Sequence, residues 1–183
     1  LVLRQREQRV RDRGDFLRHL SQMLQEWAPA LATVCKDPGL DWSRELLRRW
    51  PLEQDFVAAD PRTLRAFTAK LPVRQTTRQR ILEARKTTPL AIRPERLPLL
   101  RREIHSLLTR LEAVIDEIRS FEADLARLVQ ADPAYPVLQT LPGASIVTQA
   151  AWLATFATET HDWRSASCHN GTSPVTRASG CAW

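Results

Sequence analysis

Ten apolar residues, Leu97, Leu100, Ile104, Leu107, Leu111, Val114, Ile118, Phe121, Leu125 and Leu128, alternate spacings of three and four without a break. That spacing specifies an α-helix with one continuous apolar seam more than four heptads long. Leu108 and Ile115 widen the stripe. A face so wide has to bury against more than one partner helix. A helix over residues 94–131 is therefore expected to organise the chain, with Asp132-Pro133 as its stop.

Residues 1–34 offer one partner. Leu3, Val10, Leu17, Leu24 and Leu31 recur every seven residues, and Leu20, Trp27 and Val34 fill the second seam position. Arg6 and Arg13 weaken that position near the start, and Pro29 is expected to kink or end the helix. A second copy of the chain is the other possible partner, and the pattern does not choose between them. Only 5 glycines against 12 prolines suit helices divided by proline stops rather than a β-rich fold.

Between the two long helices, Asp37-Pro-Gly39 reads as a turn. Short helices follow over residues 43–50 (Ser43 as cap), 52–59, 61–71 and 76–87 (Thr76 as cap). Asp60 caps the third of these and Pro61 takes its first position. The fold class expected is all-α. Long antiparallel coiled-coil helices (1–36 and 93–132) flank a small basic multi-helix domain (37–92). A helix-hairpin-helix-like element lies within residues 133–183.

Charge is concentrated in the middle. From Pro61 to Arg102 there are twelve Lys or Arg and two acidic residues. The local net of +10 exceeds the +6 of the whole chain. Arg74, Arg78, Arg80, Arg85 and Lys86 are its densest run. Such a block suits the phosphates of DNA or RNA; a solvated helical surface is the plainer alternative.

The three cysteines, Cys35, Cys168 and Cys181, are odd in number and scattered, unlike a secreted disulfide framework. No apolar run is long enough to span a membrane. A cytoplasmic, nucleoid-associated setting is expected. The chain opens at Leu1 inside what reads as a helix, so a fragment of a longer protein is expected. His161, Cys168, His169 and Cys181 have the residue types of zinc ligands but lack the paired short loops of a structural site, so no metal site is assigned.

Near the C-terminus, Val137–Gly143 and Ile146–Phe156 outline two apolar helices around a Leu141-Pro-Gly143 turn. In a helix-hairpin-helix the turn and the following helix N-terminus face a phosphate. Gly143 and Ser145 are the candidate contacts, Ser145 standing where a second glycine is usual. Further on, Ser179 lies two residues after Arg177 and directly before Gly180. A serine hydroxyl can attack phosphorus if it is activated. Arg177 could then stabilise charge on the phosphoryl oxygens.

The order of these parts, with Leu141-Pro-Gly143 followed by Gly171-x-x-Pro174-Val-Thr-Arg177-x-Ser179-Gly180, resembles the IS-one-ten (IS-one-sixteen, IS-nine-oh-two) family of insertion-sequence transposases. The resemblance covers the coiled-coil region and C-terminal Tnp domain and is most specific over residues 138–180. It implies a DNA recombinase that works as a homo-oligomer on DNA, with a structured guide RNA and a nucleophilic serine, here Ser179. It also implies a preceding RuvC-like nuclease domain that holds Mg²⁺. That domain is absent from this chain, so no cofactor is expected within it. The segment Trp163–Asn170 is shorter and more polar than in the family. The resemblance therefore implies a truncated transposase that binds nucleic acid and is inactive alone.

Overall fold

The computed structural model describes residues 1–167, with side chains through residue 156. All regular structure in that range is helical: α1 Val2–Trp27, α2 Pro29–Val34, α3 Asp41–Arg49, α4 Glu53–Val57, α5 Pro61–Lys70, α6 Gln75–Ala84, a 3-10 turn Pro94–Arg96, α7 Leu97–Gln130, α8 Tyr135–Gln139 and α9 Ile146–Ser167.

Proline divides the first helical stretch. Ala28 leaves helical geometry at φ −150° and ψ 57°, and Pro29 becomes the opening residue of α2. Proline lacks the N–H that a continuing helix would need and crowds the preceding turn. Asp60 and Pro61 open α5 as their residue types predict, with Asp60 accepting from the Thr63 N–H at 2.9 Å. Two expected caps differ. α3 begins at Asp41, before Ser43, and Ser43 is buried within it. α6 begins at Gln75 without a side-chain cap, so Thr76 lies inside it. At α3, burial of Ser43 and the acidic first-turn Asp41 outweigh local cap preference.

The chain divides into two compact units, Arg4–Arg119 and Leu1–Leu3 with the described residues from Ser120 onward. In the first, α1 to α7 share one core. Leu20, Leu24, Leu31, Leu46, Leu47, Leu52, Phe56, Leu64, Ile81, Ile104, Leu108 and Leu111 are wholly buried there. Trp50 sits edge-on to Phe56 and Phe67, with ring centroids 6.1 and 5.2 Å away. Each aromatic contact adds about 0.5–1.5 kcal/mol to the burial itself.

Two polar contacts link α1 to α7, the ion pair of Arg9 with Glu117 at 2.5 Å and the approach of His19 to Glu103 at 3.9 Å. Numbers rise along one helix as they fall along the other. Both pairs are half-exposed. Each contributes about 1 kcal/mol or less, so the apolar contacts hold the helices together.

In the second unit Leu125, Val129 and Ala150 are buried, with Tyr135, Ile146, Val147 and Leu153 packed against them. Leu128, expected in the seam, is 61% exposed and Val129 takes the inward position. A straight helix drifts by about 20° per heptad against a 3.5-residue repeat, which moves the buried stripe off its starting positions.

Candidate nucleic-acid interface

α5 and α6 are joined by residues 71–74 and pack on each other, and α6 also packs on α2. At 3.6 residues per turn, α6 has two distinct sides. Ile81 is buried at the centre of one, flanked by half-buried Thr77, Arg78, Leu82, Ala84 and Arg85. Gln75, Thr76, Gln79, Arg80, Glu83 and, just past the helix end, Lys86 are exposed on the other, over an arc of roughly 140°.

The twelve basic residues from Pro61 to Arg102 fall into two classes. Four are engaged. Arg78 Nη2 donates to the Leu71 carbonyl at 3.0 Å and holds the α5–α6 turn. Arg85 Nε donates to the Ala59 carbonyl at 3.1 Å and holds the end of α6 to the α4–α5 connection. Lys86 pairs with Glu83 at 2.8 Å on the surface. Arg101 makes a two-pronged contact with Asp55, Nε to Oδ2 at 3.0 Å and Nη2 to Oδ1 at 2.5 Å. Hydrogen bonding to Asp55 moves the Arg101 pKa up, against the smaller effect of burial, so the guanidinium keeps its charge.

The other eight, Arg62, Arg65, Lys70, Arg74, Arg80, Arg93, Arg96 and Arg102, are exposed. They make no ion pair or side-chain hydrogen bond among the described residues. Of the five residues singled out from sequence in this block, Arg74 and Arg80 are therefore open to a ligand. Lys86 is exposed but paired, and Arg78 and Arg85 serve the fold. The sequence reading passed over Arg62, Arg65 and Lys70 on α5, although all three were visible in the charge count.

A buried carboxylate fixes the segment after α6. Glu53 is 2% exposed. Its Oε1 accepts from Ala30 N–H in the first turn of α2, and its Oε2 from Leu90 N–H at 3.0 Å. Gln54 Nε2 donates to the Leu90 carbonyl at 2.6 Å. One α4 turn thereby caps α2 and straps down the chain that leads to Arg93 and Arg96. Beside the α6 surface, Thr33, Val34, Lys36, Arg80, Glu83 and Thr87 line an open groove of about 400 Å³.

In the other unit Gly143 has φ +75°, a conformation that favours glycine, and a Cβ there would meet nothing within 4 Å. The residue is set by backbone geometry, not by close packing. Ser145 Oγ accepts from the Thr148 N–H at 3.3 Å and so caps α9. Buried Gln149 donates to the Ala144 carbonyl at 3.2 Å and buckles the turn to the helix. The expected contacts Gly143 and Ser145 thus lie together at the start of α9, with the serine hydroxyl already used in capping.

Ser179 and Arg177 lie outside the described residues, as do Cys168, His169, Cys181 and the His161 side chain. Among the described residues no three His, Cys, Asp or Glu side chains gather as a metal-binding group. None of the described helices is long and apolar enough to cross a membrane. No protein-family model, curated protein or solved structure matches the chain.

Proposed function

We propose that the chain is the nucleic-acid-binding helical part of an insertion-sequence transposase. It grips DNA, and a structured guide RNA, through the basic surface of α5, α6 and the segment before α7. The observation that carries this reading is the set of eight exposed arginines and lysines without an acidic partner among the described residues. Like charges crowded on short helices repel one another, and a polyanion relieves that repulsion while releasing counterions. The paired C-terminal motifs supply the transposase part of the proposal.

In its full form the proposal gives Ser179 the role of nucleophile. Its hydroxyl oxygen attacks phosphorus, a phosphoserine ester forms, and the DNA hydroxyl leaves with the serine proton. In this proposal Mg²⁺ is held by a nuclease domain distinct from these helices, and the helices by themselves bind without completing strand transfer. The α8–α9 turn, with Gly143 and Ser145, is the proposed second phosphate contact.

Binding of the purified chain to fluorescently labelled duplex DNA and to structured RNA, over a salt series, tests the proposal. Submicromolar binding at low salt that weakens steeply as salt rises supports it. Absence of binding to both at low salt overturns it. A covalent DNA adduct that disappears in Ser179→Ala would support the catalytic part.

A second reading, self-association, rests on outward apolar residues. The seam positions Leu100 to Leu111 are spent inside the chain, whereas Leu99 is 66% and Leu128 61% exposed. Homo-oligomerisation through α7 would use these outward residues. Light scattering should then report a dimer or larger that Leu128→Asp dissociates; a monomeric wild-type chain would exclude it.

A further inference from the structure

The geometry points to α5–turn–α6 as a helix-turn-helix that reads duplex DNA through its major groove, with α6 as the reading helix. The proposal rests on the nucleic-acid reading above and deepens it by naming the ligand and the contacts. Two ten-residue helices are joined by the four-residue segment Leu71-Pro-Val-Arg74. α2 packs behind α6 as the supporting helix. In such motifs the second helix lies in the major groove and the first crosses the phosphate backbone.

The turn is built to hold this angle. Leu71 is buried. Val73 N–H donates to the Leu71 carbonyl at 2.8 Å, and Arg78 closes onto the same carbonyl from α6. Glycine is frequent in this turn. Here Pro72 occupies it, and no residue in it has positive φ, so the side chain of Arg78 supplies the fixation. Buried Ile81 and the half-buried side of α6 anchor the helix inward, which leaves the opposite arc to face outward.

The chemistry of that arc is the second argument. Gln75, Thr76, Gln79 and Arg80 are exposed and make no side-chain hydrogen bond among the described residues. Glutamine pairs with both major-groove atoms of adenine, arginine with both of guanine, and threonine reaches either a base edge or the thymine methyl. All four lie within the first six residues of α6, towards the end of the helix where a reading helix meets the bases. A helix of ten residues is about 15 Å long, and its end fits a groove about 12 Å wide.

Phosphate contacts flank this arc. Arg62, Arg65 and Lys70 lie on the exposed side of α5, and Arg74 stands at the turn itself, all without acidic partners among the described residues. Glu83 is the one acidic residue of the arc, and Lys86 neutralises it at 2.8 Å. The major groove of A-form RNA is too deep and narrow for such a helix, so duplex DNA is the ligand the shape selects.

The test uses the full chain and a library of 40-base-pair duplexes with random centres, selected by repeated binding. The enriched duplex, its scrambled version and a structured RNA are then compared by fluorescence polarisation. The expected result is a preference of about 100-fold or more for the enriched duplex over the scrambled one. Gln79→Ala should cut that preference by about tenfold, with scrambled binding within about threefold of wild type, whereas Arg80→Ala should lower both the preference and the scrambled binding. Far-ultraviolet circular dichroism verifies that these surface variants fold. Equal binding of all duplexes, or stronger binding of the structured RNA than of every duplex, overturns the helix-turn-helix while leaving the basic surface intact. Failure of the wild-type chain to bind any nucleic acid would instead overturn the broader reading.

Discussion

Glu53 shows how much a single buried polar side chain can organise. It offers one carboxylate oxygen to the open end of α2 and the other to Leu90. Alanine would leave both part-buried N–H groups without their side-chain partner. Glu53→Ala should therefore lower stability by about 2–4 kcal/mol, measured by urea denaturation, and loosen residues 88–93 in hydrogen exchange. An effect under about 0.5 kcal/mol would contradict the role. Cys35 behaves in the opposite sense. Burial pushes its thiol up to about 12, with the Ser43 hydroxyl beside it working more weakly the other way. The folded state thus holds the proton more tightly than the unfolded chain does. Its contribution is intact below the unfolded value of about 8.5 and is lost as pH rises from there towards 12. Iodoacetamide should leave Cys35 unmodified in the native chain at about pH 8 and modify it rapidly in denaturant. Rapid native labelling would show that the thiol is not enclosed.

Helix ends are where sequence and structure meet most directly. The Asp60 carboxylate is held below the usual carboxylate range, chiefly by the Thr63 backbone N–H. A depressed folded pKa means that its stabilisation is present above about pH 4 and is lost as pH falls below that. Asp60→Ala should consequently destabilise the chain at neutral pH and match wild type near about pH 2. Equal destabilisation at both would implicate something other than the charge. Gly143 offers a second case. Its φ of +75° strains any residue with a Cβ, while nothing crowds the position. Gly143→Ala should cost about 1 kcal/mol, and Gly143→Asn distinctly less. Thermal melts of the two variants separate this backbone effect from packing, which would make the larger residue the worse one.

These same elements show what could be read in advance. Pro29, Asp60-Pro61 and the 97–125 seam act through local rules, and each appears where expected. Ser43 and Leu128 do not, because burial set by distant residues overrides a local cap or heptad position, and Thr76 lies exposed inside α6, which begins one residue earlier. The candidate surface divides in the same way. Its charge was countable in the sequence, but Arg78 and Arg85 differ from Arg74 and Arg80 only in which carbonyls the tertiary fold brings near. The exposed glutamines of α6 carried no charge to draw notice. Their significance appears only when Ile81 is seen to fix which side faces inward.

For the whole molecule, the central claim is that one core of seven helices presents a cationic surface whose charges are unspent within the fold. The measurement that tests it most directly is the salt dependence of duplex binding in two matched variants. One reverses the exposed residues Arg62, Arg65, Arg74 and Arg80 to glutamate; the other changes the engaged residues Arg78 and Arg85 to alanine. In the first, affinity at about 0.1 M salt should fall at least 100-fold, and the slope of log K against log salt should flatten by about 0.9 for each phosphate that is no longer neutralised. In the second, stability should drop by about 1–3 kcal/mol, while the slope of the folded fraction stays within about one unit of wild type. If the exposed reversals left both affinity and slope unchanged, the cationic surface would not be the binding surface and the account would be wrong at its centre.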